Sequence, residues 1–285
     1  MIKTTLLLSA AVTMAFTSVV YAKHDHSGSV SDDVIAEHRA NLAKNTEGKG
    51  FGPQSPRNIE SVVGYNPIKF NTAPSYTAMN LCNIHFHKNA EHAGGEFTKY
   101  AGNGDGHGHN TGFLYSGVLT ESETKPMSEA VCAVKGDGLQ SGDTIEIHYV
   151  HSSAQIEPGP TLGACLSESI MNPQLRVEAQ VYALVNDNSA LNFTDLTAVG
   201  MKNGYHQATG IPSNTGKPVV YAGATTGPSY NESGSPLQVT WSVRPEVLKV
   251  DVKTVGEWCK SNQFDEGAAH AVRNLVVNPD LLSPM

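Results

Sequence analysis

From Phe51 onward the chain is a succession of short β-type runs separated by Gly, Pro, Asn and Ser clusters, and this texture constrains the fold more than any other feature. The runs Asn80–His87, Thr144–Val150, Leu175–Val185, Pro218–Tyr221 and Leu237–Val243 all read as strands. Leu175–Val185 is largely apolar, as suits a central strand, whereas Thr144–Val150 alternates between two faces. Helical periodicity is scarce. Ser31-Asp32-Asp33 caps a short predicted helix through Leu42, ended near Gly48, and Val255–Asn262 is the best late candidate. The Gly-rich run 102–108 is a loop. The expectation is a mainly β protein with short peripheral helices, in which residues 51–285 form one domain.

The N-terminus argues for export. Lys3 supplies a positive charge, Leu6–Val20 is apolar but broken by Ser and Thr, and Val20-Tyr21-Ala22 is a small-residue cleavage pattern. This predicts a signal peptide over residues 1–22, cut after Ala22, followed by a polar segment over residues 23–50. Beyond it no second apolar stretch of membrane-spanning length appears, so the expected mature chain is secreted or periplasmic, without a membrane partner. Four cysteines, Cys82, Cys132, Cys165 and Cys259, suit two disulfides in an oxidising compartment. The expected pairing is Cys82–Cys132 and Cys165–Cys259. A formal net charge of -8 with scattered basic residues makes nucleic acid a poor partner. Homodimerisation is compatible with the sequence but not specified by it.

Within the strand Asn80–His87, His85 and His87 share one face while Ile84 and Phe86 share the other. By itself an H-x-H pair is more often a solvated strand face than a site. The run Thr144–His151 shifts the balance, because Glu146, His148 and Val150 occupy one face and Ile145, Ile147, Tyr149 and His151 the other. His148 completes a three-histidine set with a fourth position open to water, the layout of a catalytic zinc site. Asn83 and Glu146, each two residues before a ligand on the ligand's own face, are candidates to hold the second ring nitrogens. Zn2+ is preferred over copper or iron because no Met, Cys or carboxylate with ligand spacing joins the set. Three neutral ligands leave the ion its full charge, and it can bring the pKa of bound water to about 7.

These segments resemble carbonic anhydrases. His85-Phe86-His87 and Glu146-Ile147-His148-Tyr149-Val150-His151 look like the α-type zinc-site motifs, and the compact run from His85 to Glu91-His92 is similar to the δ class. Gln54-Ser55-Pro56-Arg57-Asn58-Ile59 resembles the α-type N-terminal segment, and 221–228 followed by Val239-Thr240-Trp241 resembles the threonine loop and its tryptophan strand. The resemblance implies an α-type fold around a large, mostly antiparallel sheet. It also implies reversible hydration of carbon dioxide to bicarbonate and a proton through a zinc-bound hydroxide. Carried over by position, His85, His87 and His148 would bind zinc, Thr226 would accept the hydroxide's hydrogen bond, and Glu91 would accept that of Thr226. Val150 and Trp241, together with Val177 or Val181, would line the substrate pocket. Thr225 stands where the α class has an apolar residue, so Thr225 and Thr226 are both open as gatekeeper. His107, His109 and His206 are open as proton shuttle, while His92 and His151 read as structural. The alternatives are an exported, non-catalytic binding module of the same fold and a periplasmic zinc-binding protein using His24 and His26.

Overall fold

The computed structural model describes residues 28–60, 63–133 and 138–284. The predicted signal peptide, its cut after Ala22, and His24 and His26 lie outside the described residues. Among the described residues no helix is long and apolar enough to cross a membrane.

The elements in chain order are α1 (Asp32–Thr46), β1 (Asn80–Lys88), β2 (Lys99–Asn103), β3 (Thr111–Leu114), β4 (Thr144–Ser152), β5 (Leu175–Val185), α2 (Phe193–Leu196), β6 (Val199–Lys202), β7 (Tyr205–Ala208), β8 (Val219–Ala224), β9 (Gln238–Asp251) and α3 (Val252–Lys260). The chain is mostly β, with a five-stranded sheet in the order β1-β4-β5-β9-β8 and β5 at its centre. β1–β4, β4–β5 and β8–β9 are antiparallel, and β5–β9 is parallel. The two-stranded ribbons β2–β3 and β6–β7 were not expected from the sequence, since runs of four or five residues carry little periodicity.

Alternation along the strands divides the interior in two. One cluster holds Ile84 and Phe86 of β1, Ile145, Ile147 and Tyr149 of β4, and Trp258 of α3. The other holds Val150 of β4, Val177, Ala179 and Val181 of β5, and Trp241 of β9. The β1–β4 register shifts between Leu81 and Asn83, which makes Cys82 an inserted residue. The bulge lets Leu81 join the first cluster while Cys82 joins the second.

That division corrects the expected disulfides. Cys82 lies in the second cluster and Cys132 in the first, so the sheet stands between them. The bonds are Cys82–Cys165, which clips the 3-10 turn Leu162–Cys165 onto β1, and Cys132–Cys259, which ties a loop to the end of α3.

The boundaries of α3 and β9 also differ from the sequence reading. α3 starts at Val252 because Asp251 caps it, accepting a hydrogen bond from the Lys253 amide at 3.1 Å. β9 continues past Arg244-Pro245 to Asp251, with a register irregularity in its pairing to β5 accommodating the proline.

Candidate metal centre

Antiparallel register brings the three histidines together. His85 lies directly opposite His148, and His87 directly opposite Glu146. Because all four point to the same side of the sheet, the imidazoles converge, with ring centroids 5.1 Å apart for His85 and His148 and 4.7 Å for His87 and His148. Their ligand atoms all lie within 4.8 Å of one another. The cluster sits in the wall of an open cavity of about 1210 Å³.

Second partners fix which nitrogen of each ring faces inward. Asn83 donates through Nδ2 to the Gly159 carbonyl at 3.1 Å, so its Oδ1 is turned to His85 Nδ1 at 2.6 Å. A carbonyl oxygen only accepts, so His85 carries its proton on Nδ1 and offers Nε2. The Ala271 carbonyl does the same for His87 Nδ1 at 3.0 Å. Glu146 Oε1 lies 3.5 Å from His148 Nε2 and favours the proton there, leaving Nδ1 to face His85 Nε2 across 3.2 Å. Two lone pairs at that distance repel unless a cation lies between them. Bonds of 2.0–2.1 Å in a tetrahedral zinc site separate ligand atoms by about 3.3–3.4 Å, so the pair fits that ion closely.

Behind the histidines lies a buried polar chain. His92 donates through Nδ1 to Glu146 Oε1 at 2.8 Å and accepts through Nε2 from the Tyr221 hydroxyl. The other Glu146 oxygen accepts from the Glu91 amide at 2.6 Å. Burial alone would raise the Glu146 carboxyl, but His92 and His148 outweigh it and hold the group well below the usual carboxylate range. Glu91 goes the other way, raised chiefly by burial and further by the neighbouring Glu146 charge. Burial, reinforced by the surrounding imidazoles, pushes His85 and His87 well below the ordinary histidine value. Neutral rings are what a metal requires.

The chain belongs to the delta carbonic anhydrase family. The family model, described as Delta carbonic anhydrase, matches residues 76–254, well over half of the chain, including all three histidines. Among solved structures, the chain is similar to the α-carbonic anhydrase from Thermovibrio ammonificans in complex with the inhibitor sulfanilamide. Identity there is 17%, with a TM-score of 0.30 over 89% of this chain and 94% of that one. It is also similar to the Photobacterium profundum α-carbonic anhydrase, at 15% identity and a TM-score of 0.28 over 84% and 93% of the two chains. No curated protein matches.

In this delta carbonic anhydrase family member, several sequence-predicted residues stand elsewhere than expected. Glu91 and Thr226 both line the cavity, yet the relay between them is not formed. Glu91 Oε1 instead accepts from the Arg273 amide at 2.6 Å, and Thr226 Oγ1 is buried without a hydrogen-bond partner among the described residues. Thr226 holds a φ of 144°, a conformation L side chains rarely adopt, whereas Thr225 donates its amide to the Leu237 carbonyl in ordinary backbone geometry. Val150 and Trp241 lie behind the metal centre rather than on the cavity wall. Val150 is fully buried, and the Trp241 ring packs edge-on against His148 with centroids 4.9 Å apart.

Of the three shuttle candidates, His109 lines the cavity, His107 is exposed outside its wall, and His206 sits outside it beside Glu157 at 3.1 Å. Sequence reasoning missed His270, whose ring lies 5.2 Å from that of His85 and whose Nε2 is 2.7 Å from Glu266 Oε2. It also missed the backbone partners from Ala271 and Arg273. These three residues belong to a segment without periodicity, so no sequence pattern marks them.

Proposed function

We propose that this protein reversibly hydrates carbon dioxide to bicarbonate and a proton, with zinc as its metal. The observation that carries this reading is the 3.2 Å approach of His85 Nε2 and His148 Nδ1 beside His87 on an open cavity wall, in a chain of this family. His85, His87 and His148 would hold the ion, which when bound acts as a Lewis acid that brings a water to a pKa of about 7. Asn83 and the Ala271 carbonyl keep two rings in the tautomer that turns Nε2 inward. Glu146, fixed by His92 and the Glu91 amide, sets the third ring and supplies negative charge close behind it. Thr226 lines the cavity, and its buried Oγ1, without a partner among the described residues, would orient the attacking oxygen. Water adds its oxygen to the carbon, its second proton leaves to solvent, and bicarbonate departs through the open mouth.

The pairing of all four cysteines supports an oxidising compartment, hence a secreted or periplasmic enzyme. Stopped-flow hydration on zinc-loaded and chelated protein tests the proposal. Activity that appears with one zinc per chain and disappears on chelation is expected. Stoichiometric zinc without activity above buffer would identify a non-catalytic zinc-binding module instead.

A further inference from the structure

In the segment Gln54–Ile59, Gln54 and Ser55 have plain structural tasks. Gln54 exchanges hydrogen bonds with the Ser235 backbone, and the Ser55 hydroxyl donates to the Ala224 carbonyl at 2.7 Å. Arg57 instead reaches the β2–β3 ribbon. Register there sets Tyr100 opposite Phe113, with ring centroids 5.5 Å apart. The Arg57 guanidinium lies over both rings, its Cζ 4.5 Å from the Tyr100 centroid and 5.1 Å from that of Phe113. This stack fixes where the charge sits but offers its N–H groups no lone pair.

Arg57, Tyr100 and Phe113 line an open groove of about 760 Å³ together with Val63, Val276 and Val277. The C-terminal valines are brought there by backbone pairing, since the Arg57 amide donates to the Val276 carbonyl at 2.9 Å. Val63 and Val277 are 59% and 50% exposed, so the groove presents apolar surface to solvent. Among the described residues it shares no lining residue with the metal cavity.

Charge is also unmatched at this place. Arg39 of α1 stands near enough to Arg57 that its pKa is lowered chiefly by burial and further by the Arg57 charge. Neither guanidinium forms an ion pair with a carboxylate among the described residues, and Arg39 Nε is buried without a partner among them. Glu60 is the one acid among the described lining residues, and its Oε1 accepts from the Gly95 amide at 2.7 Å. In a chain of net charge -8, two neighbouring guanidiniums without a counter-ion favour a bound anion. Glu60 in the same wall disfavours a dianion, and the exposed valines are of no use to a bare inorganic ion.

We propose that this groove binds an organic monocarboxylate with an apolar body. The carboxylate pairs with the Arg57 guanidinium, and the body lies along Tyr100, Val63 and Val277.

The test uses the full, disulfide-bonded, zinc-loaded chain with phenylacetate as probe, titrated by saturation-transfer NMR. The control 2-phenylethanol lacks its charge, and acetate lacks its body. Both controls are expected to bind the wild type at least about tenfold more weakly than phenylacetate. Arg57→Met should weaken phenylacetate by about tenfold or more while leaving the metal cavity intact, so any carboxylate bound at the zinc survives that substitution. Val277→Asp, at an exposed position that tolerates change, should weaken it to a similar extent and decides the matter if Arg57→Met does not fold. In crystals, phenylacetate is expected beside Arg57 over the Tyr100 ring. Phenylacetate binding to either folded variant as tightly as to wild type would overturn the proposal. Acetate or 2-phenylethanol matching phenylacetate would overturn it too, by reducing the groove to a charge or to an apolar surface. Binding is read without turnover, so the result is independent of whether the protein hydrates carbon dioxide.

Discussion

His148 and His151 stand three residues apart on β4, both are buried, and they face opposite sides of the sheet. On one side His148 meets two more histidines, a carboxylate and the edge of Trp241. On the other, the His151 ring lies 5.4 Å from that of Tyr76, with Nδ1 3.0 Å from the Tyr149 carbonyl and no partner at Nε2 among the described residues. Burial is nearly equal, so burial does not make a site. What separates them is cross-strand register, which sets His85 opposite His148 and His87 one pair along, opposite Glu146, and gives His151 only Leu81 and Arg176 as strand partners.

The strongest way to break this contrast is to remove each ring. His148→Ala should abolish stoichiometric zinc retention and hydration together, because two imidazoles do not hold the ion tightly; zinc analysis and stopped-flow assay check both. His151→Leu should leave both at wild-type values. A smaller effect is expected one layer out, at the threonine loop. Thr226→Ala should keep zinc and cut turnover by about a hundredfold, the scale of losing one aligned hydrogen-bonding group at a reacting oxygen. Thr225→Ala should change it only a few-fold. The reverse pattern would exchange the roles of the two residues.

The same contrast explains what could be read in advance. Strand parity and the pairing of an H-x-H strand with an E-x-H strand located the ligand set, since both follow from a period of two. The disulfides were misassigned because their pairing depends on which face each cysteine takes, and the bulge at Cys82 decides that without leaving a sequence mark. The Glu91–Thr226 relay was carried over from motif order, whereas the position of Glu91 is set by the Arg273 amide, a backbone group of a segment far along the chain.

Between the rings and the loops lies the buried carboxylate. Glu146→Gln keeps the shape of the side chain but loses the charge that His92 and His148 stabilise. Zinc affinity is expected to weaken by 10- to 100-fold, about the scale found for groups that orient metal ligands. Competition with a chromogenic chelator measures it. Tyr221→Phe, two hydrogen bonds further from the metal, should have a smaller effect in the same direction, because His92 keeps its bond to Glu146. An unchanged affinity in Glu146→Gln would mean that His148 is oriented by packing against Trp241 alone.

The smallest expected effect belongs to His151 and appears only in stability. Burial pushes its pKa down to about 3 in the folded chain, whereas in the unfolded chain it returns to about 6.5. Between those values the unfolded state binds the extra proton, so stability falls as the pH drops through that window and is constant above it. The slope is about 1.4 kcal/mol per pH unit from this residue. His85 and His87 add to the acid limb of metal-free protein, but they do so equally in wild type and in His151→Leu, and the difference isolates one ring. Urea unfolding of both proteins at pH 7.5 and 4.5 should show the variant gaining about 2–3 kcal/mol relative to wild type on going to the lower pH. A gap that does not change with pH would mean that folded His151 takes up its proton as readily as the unfolded chain, and that this side of β4 admits water.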